Sequence, residues 1–205
     1  MKDNTLITIT RQYGSGGREV SAIVAKKLGL RRYDRKIVET AAKNLHDYTD
    51  MPMEEIIKDS YKDPDTSVSG LFGLGNYSFE KIPYYNKMYV EQAKVVLEVA
   101  KRGSAVFLDR CADYVLQDFP NRYCFFIYAD DEFRANRAKN EYGNHTLKDL
   151  IAEENRRRRY YAYYTGQTWG DPRLYDLMIN TSKFPLEKAA DIIIEYINLD
   201  QQESK

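Results

Sequence analysis

At 205 residues, with 31 Lys+Arg against 31 Asp+Glu and no net charge, the chain is long enough for one well-buried core, and its charge balance suggests neither a polyanion-coating protein nor an acidic tail. Two cysteines, Cys111 and Cys124, stand in or beside apolar stretches; they are too few for a disulfide framework or a Cys-rich zinc site and suit a reducing compartment. No apolar leader with a cleavage site is visible, and no run approaches the roughly 18 apolar residues of a membrane span, so a cytoplasmic protein without a membrane partner is expected.

The β-branched run at residues 6–10 reads as a buried strand. It breaks into Arg11-Gln12-Tyr13-Gly14-Ser15-Gly16-Gly17-Arg18-Glu19, and an apolar-periodic helix starts near Glu19 with Val20, Ile23, Val24 and Leu28. Gly29 closes it, a short segment ending at Asp34 suits a second strand, and Ile37, Val38 and Ala41 mark a second helix. Residues 46–83 are less regular: a short helix fits about 53–58, and Pro64, Gly70, Gly73 and Gly75 then punctuate a loop. Its Leu71, Phe72 and Leu74 suit either a flap over a ligand or the anchors of an ordinary surface loop. A long helix spans about 83–101, and residues 105–108 form a continuous apolar run, as in a strand buried on both faces, ending in Asp109. A strand at 123–128, a charged helix at about 131–141 and a helix capped by Thr146 follow. A short strand at 177–179 and an amphipathic helix at 185–197 complete the chain. Strands alternating with helices predict an α/β fold with a mainly parallel sheet. Ligands in such sheets sit beyond the carboxyl ends of the strands, so the loop after Thr10, Asp34, Asp109-Arg110 and the turn after Asn180 should share one face.

Strand, glycine-rich turn and helix together have the layout of a phosphate-binding loop. Glycines let the backbone approach an anion, and the helix start adds unpaired N–H groups and the positive dipole end. Gly14, Ser15, Gly16, Gly17, Arg18 and Glu19 are the candidate phosphate cradle; a plain glycine turn is the simpler alternative. Against the Walker A pattern G-x-x-x-x-G-K-[ST], Arg11 stands at the first glycine, Gly17 at the lysine and Arg18 at the hydroxyl position. A form with an extra glycine would put Glu19 at the hydroxyl position instead. Arg18 is the candidate substitute for the lysine, and Asp109, with Glu19, the candidate Mg²⁺ ligand; Asp109 could equally cap the helix that follows. Arg110 can hold a phosphate bidentately and Asp113 can read a base or sugar hydroxyl, with surface salt bridges as the bland alternative. In the run from Arg156 to Arg159, Arg156 and Arg159 can share a helix face while Arg157 and Arg158 look elsewhere, which suits a lid that carries charge over a transferring group. The interleaved tyrosines and Trp169 either pack that lid or stack on a base; a solvated basic helix and an RNA-binding patch are the alternatives, and overall neutrality argues against nucleic acid. His46 and His145 have no second ligand nearby and are not candidate metal or catalytic groups.

Taken together, the loop from Ile7 to Glu19, Tyr33-Asp34, Asp109-Arg110-Cys111-Ala112-Asp113, the Arg156 to Arg159 run with Tyr160-Tyr161, Thr165, Trp169-Gly170 and Tyr175-Asp176-Leu177 resemble the cytidylate kinase-like branch of the P-loop nucleoside monophosphate kinases. The resemblance covers most of the chain. It implies a three-layer P-loop NTPase-like fold with a parallel five-stranded sheet, in one kinase-like domain over residues 1–205. An acceptor-binding segment would lie at about 34–105 and a lid at about 145–172. It further implies ATP and Mg²⁺ as cofactors and transfer of the γ-phosphate to a nucleoside monophosphate or related small acceptor. Gly14 to Glu19 would cradle donor phosphates, Arg110 would hold the acceptor phosphate, Asp34 would open the acceptor segment, and Arg156 and Arg159 would be lid cations; Arg18 as a catalytic cation and Asp113 as an acceptor contact are the readings of the residues given above. Gly17 in place of the lysine leaves open a second expectation, a regulatory module that binds nucleotide without transferring phosphate.

Overall fold

The computed structural model describes residues 2–46, 54, 84–143 and 145–203. The loop expected around Gly70, Gly73 and Gly75, and the short helix at 53–58 apart from Glu54, lie outside the described residues. Five strands form one sheet: β1 (Leu6–Arg11), β2 (Arg31–Tyr33), β3 (Ala105–Leu108), β4 (Arg122–Tyr128) and β5 (Leu177–Asn180). Their order is β2-β3-β1-β4-β5, and every neighbouring pair is parallel. Seven helices accompany them among the described residues: α1 (Gly17–Leu28), α2 (Arg35–His46), α3 (Tyr84–Lys101), α4 (Ala112–Val115), α5 (Asp131–Glu141), α6 (Leu147–Thr165) and α7 (Leu186–Glu203).

Strand periodicity decides the layering. Ile7 and Ile9 of β1 point to one face, where they join Val106, Leu108, Phe125 and Ile127 beneath α1 and α7. Leu6 and Phe107 point to the other face and pack with Ile37, Val38 and Leu45 of α2 and Met88, Val96 and Val99 of α3. Both faces are covered, which is why these strands read as nearly unbroken apolar runs.

The second face carries a further, aromatic cluster on its β4–β5 side. Cys124 and Phe126 are in register with Thr8 and Thr10 and so share the face of Leu6. They pack with Tyr160 and Tyr161 of α6 and with Trp169 and Tyr175. Trp169 and Tyr175 both stand with ring centroids 5.0 Å from Phe126, and Trp169 meets it edge-on. A crevice remains between the two clusters at the strand tips, where the chain order reverses about β1.

Helix ends follow local chemistry. Thr146 and Asp149 close a reciprocal capping box on α6, and Gly166 ends the same helix in the left-handed region. Helix α1 starts at Gly17, two residues before the expected position, because Gly16 takes φ 79° and turns the chain straight into the helix. Helix α4 and the 3₁₀ turn Pro172–Leu174 are too short to leave a hydrophobic period in the sequence. Among the described residues no helix is long and apolar enough to cross a membrane.

Gly14 has φ +83°, and a Cβ there would lie 3.0 Å from Leu150 Cδ1 and 3.2 Å from the Arg134 carbonyl oxygen. Gly14→Ala should therefore lower stability by about 2–4 kcal/mol through left-handed strain and overpacking. Urea titration of the two proteins checks this; an unchanged midpoint would show that the loop is not clamped between α5 and α6.

Candidate functional site

The glycine-rich loop leaves β1 and enters α1. Ser15 Oγ donates to the Gln12 carbonyl at 2.9 Å and accepts from the Gly17 amide at 3.3 Å. Thr181, just after β5, donates to the Ser15 carbonyl at 2.6 Å and so ties the loop to the far side of the sheet. Among the described residues, the amides of Gly14, Gly16, Arg18 and Glu19 find no acceptor. Of these residues, Gly14, Gly16 and Arg18 line a cleft together with Arg11, Gly17 and Tyr142. Unpaired amides at a helix start can hold an anion.

Strand β3 ends in an unusual turn. Asp109, Arg110 and Cys111 take φ 57°, 62° and 54°, three successive non-glycine residues in the left-handed region. Each such residue costs about 1–2 kcal/mol. The turn places Asp109, Arg110, Cys111 and Asp113 in the wall of the crevice with Thr10, Arg157 and Trp169. Asp109 Oδ2 is held by the guanidinium of Arg11 and, at 3.2 Å, by that of Arg157. Its Oδ1 is buried and has no hydrogen-bond partner among the described residues.

Helix α6 supplies the roof. Leu150, Glu154, Arg157 and Tyr161 are buried along one stripe, whereas Arg156 and Arg159 lie on the exposed side. Arg157 is the arginine turned to the strand tips, its side chain 8% exposed and its guanidinium 5.2 Å from the centre of the Tyr13 ring. Arg156 pairs with Glu153 at 3.0 Å and is half-exposed. Arg158 lies over the Trp169 ring at 5.3 Å. The shared face of Arg156 and Arg159 is thus the solvent face. Counting in steps of three and four from the apolar Leu150 would have selected Glu154, Arg157 and Tyr161 from the sequence.

The same stripe clamps the glycine-rich loop. Glu154 Oε1 accepts from the Tyr13 amide at 3.0 Å and from Arg134 Nη2 at 2.6 Å, while Arg134 Nε donates to the Tyr13 carbonyl at 2.9 Å. Both side chains are 5% exposed or less. Sequence reading missed this pair because its partners are 20 residues apart on different helices.

The other expected site residues divide between two sides. Arg18 leans toward Asp34 at 3.9 Å, at the end of β2, with its guanidinium largely in solvent. Glu19 pairs with Arg137 of α5 at 3.1 Å, so it and Asp109 are engaged by different cations. Asp113 is fully buried and accepts from the Tyr161 hydroxyl at 2.8 Å; burial raises its pKa, and the Tyr161 bond offsets this in part. Burial also lifts the free thiol of Cys111 and pushes Cys124 up to about 12, which makes both poor nucleophiles. Among the described residues no group of three or more His, Cys, Asp or Glu side chains could hold a metal by itself.

Two outcomes follow from the buried charges. Arg134→Met strands the Glu154 carboxylate and should cost about 3–5 kcal/mol, read as a large fall in Tm; a change under 1 °C would show that the pair does not clamp the loop. For Asp113 the folded pKa is raised, so its protonated form stabilises the fold below the unfolded pKa and that stability is lost as pH rises through the folded value. Asp113→Asn should accordingly melt higher than the parent at pH 8, with the gap closing toward pH 4; a gap independent of pH would contradict the assignment.

Comparison with known proteins bears on family and fold. The sequence model of the cytidylate kinase-like family matches residues 6–183. A cytidylate kinase of Archaeoglobus fulgidus is 29% identical over 201 residues, covering 94% of each chain. An uncharacterized protein from Eubacterium ventriosum superposes with a TM-score of 0.68 at 24% identity, over 94% of this chain and 98% of that one. A shikimate kinase from Bacteroides thetaiotaomicron gives 0.57 at 11% identity, over 96% and 99%. A gluconokinase from Sinorhizobium meliloti gives 0.54 at 13%, over 97% of both chains. The structural likenesses speak to the fold alone, a parallel five-stranded P-loop kinase sheet, and the sequence match extends over most of the chain: it belongs to the cytidylate kinase-like family.

Proposed function

We propose that the protein is a phosphotransferase that moves the γ-phosphoryl group of Mg·ATP to a nucleoside monophosphate or a similar small acceptor. The observation that carries this reading is the Arg11–Asp109 ion pair, which joins two clefts, Arg11 lining one and Asp109 the other. One is rimmed by unpaired loop amides; the other is walled by Arg110, Asp113, Arg157 and aromatic rings. The family match supports the reaction class.

The residues present fit the cofactor. Unpaired amides at Gly14, Gly16, Arg18 and Glu19 suit the donor phosphates, and the orphaned Asp109 Oδ1 suits a single carboxylate contact to Mg²⁺ or to its water. Mg²⁺ normally takes one or two carboxylates and completes its shell with phosphate oxygens and water, so the lack of a three-acid cluster among the described residues is no obstacle. Bound with the nucleotide, Mg²⁺ neutralises charge on the β- and γ-phosphates.

In this reading the acceptor's phosphate oxygen bonds to the γ-phosphorus as the bond to the bridging oxygen breaks, leaving ADP. The chain's own work is positioning and charge. Loop amides fix the donor, with Arg18 at the rim. Arg110 orients the acceptor phosphate, and Arg157, held at the strand tips by Asp109, faces the transferring group. Asp113, anchored by Tyr161, reads a polar group of the acceptor's base or sugar. The stretch from Asp34 to about residue 105 contributes the acceptor side and the helix of Arg157 the lid, with Arg156 and Arg159 on its outer surface.

The test is a panel of nucleoside monophosphates and other hydroxyl acceptors incubated with Mg·ATP, with products identified by mass spectrometry. Turnover should appear with at least one acceptor and fall about 100-fold or more in Asp109→Asn. ATP binding without any phosphorylated product would instead establish the regulatory reading, which the glycine at the lysine position motivates.

A further inference from the structure

The lysine position of the loop carries no side chain, and the stem of a cationic side chain from another position fills the space beside it. Arg11 ends β1 on the face of Ile7 and Ile9, the face that α1 covers. A Cβ built on Gly17 would stand 2.5 Å from Arg11 Cβ, 3.0 Å from Arg11 Cγ and 3.1 Å from Ile127 Cβ. All three neighbours are close to rigid backbone, so they cannot swing aside as the end of a flexible chain could. Only one of positions 11 and 17 can therefore bear a side chain, and the other must be glycine. In the pattern G-x-x-x-x-G-K, glycine stands first and lysine seventh; here arginine stands first and glycine seventh.

We infer that Arg11 is the inner cation of the phosphate loop, a reciprocal exchange with Gly17 that moves the charge from the start of α1 to the end of β1. Its side chain is 13% exposed, pairs with Asp109 and lines the cleft with Gly14, Gly16 and Gly17. Arg18, the neighbour in sequence that would otherwise replace the lysine, is 57% exposed and turned to Asp34. Its backbone carbonyl is also engaged, by Arg32 at 3.0 Å. The guanidinium of Arg11 supplies two or more parallel donors to adjacent phosphate oxygens, a geometry that an ammonium lacks. Asp109 is its positioning partner at the strand tips. This inference rests on the reading that the loop takes nucleotide phosphates.

The experiment titrates inorganic tripolyphosphate and ATP into the full-length chain and its variants, alongside the acceptor assay. Arg11→Met should weaken tripolyphosphate about tenfold to a hundredfold, as expected for loss of a charged hydrogen bond, and Arg18→Met about threefold or less. R11G combined with G17K should recover affinity to within about threefold of the parent, although R11G alone loses it and G17K alone melts lower from the steric conflict. That reciprocal rescue is a coupling which independent roles would not show. Should Arg11→Met prove unfolded by circular dichroism, Arg11→Lys and the R11G/G17K pair decide the matter. Unchanged tripolyphosphate affinity in a folded Arg11→Met, a larger loss in Arg18→Met, no rescue by the double exchange, or no binding by the parent chain would each overturn the inference. Arg11-dependent phosphate binding with no phosphorylated product would uphold it while removing the phosphotransfer reading; transfer that persists unaltered in Arg11→Met would do the reverse.

Discussion

The carboxylate of Asp109, sandwiched between the guanidiniums of Arg11 and Arg157, is the interaction on which the geometry of the strand tips depends. Its side chain is 10% exposed, and a carboxylate so far from water must be compensated by charge. Arg11 comes from the central strand and Arg157 from the helix that roofs the crevice, so the one acid joins sheet and roof. The left-handed turn at Asp109, Arg110 and Cys111 is held against its intrinsic strain by that joint and by the burial of Cys111 and Ala112 in the aromatic and apolar clusters.

A second buried pair extends the arrangement to the loop itself. Glu154 and Arg134 take up both backbone polar groups of Tyr13, and the Tyr13 ring in turn lies against Arg157. Loop, roof and α5 therefore share one network of charge-assisted bonds in a poorly solvated region, where each bond is stronger and each missing partner more costly than in water. The loop carries unpaired amides at its mouth because its remaining polar groups are satisfied behind it.

How far the site was legible follows from range. Gly14, Gly16 and Gly17 announce a tight turn because few other residues tolerate positive φ or such close packing, and the apolar run before Asp109 announces a buried strand tip. By contrast, nothing local marks Arg110 and Cys111 as left-handed, and Asp109 only weakly, since three such residues in a row are held by distant contacts. Within the arginine run, helical spacing correctly groups Arg156 with Arg159, but which face is buried depends on what α6 packs against. Nor does the sequence show which cations Glu19 and Asp109 meet: Arg137 engages the first, and Arg11 and Arg157 the second.

The amino-acid order alone determined the alternation of strands and helices, the parallel sheet, the loop after the first strand and the family, because each rests on periodicity, glycine placement or motifs within a short stretch. Tertiary structure alone decided which arginine meets Asp109, which helix face roofs the crevice and why position 17 is glycine. Those outcomes depend on side chains far apart in the sequence competing for the same few cubic ångströms and the same buried charge, and no local pattern encodes that competition.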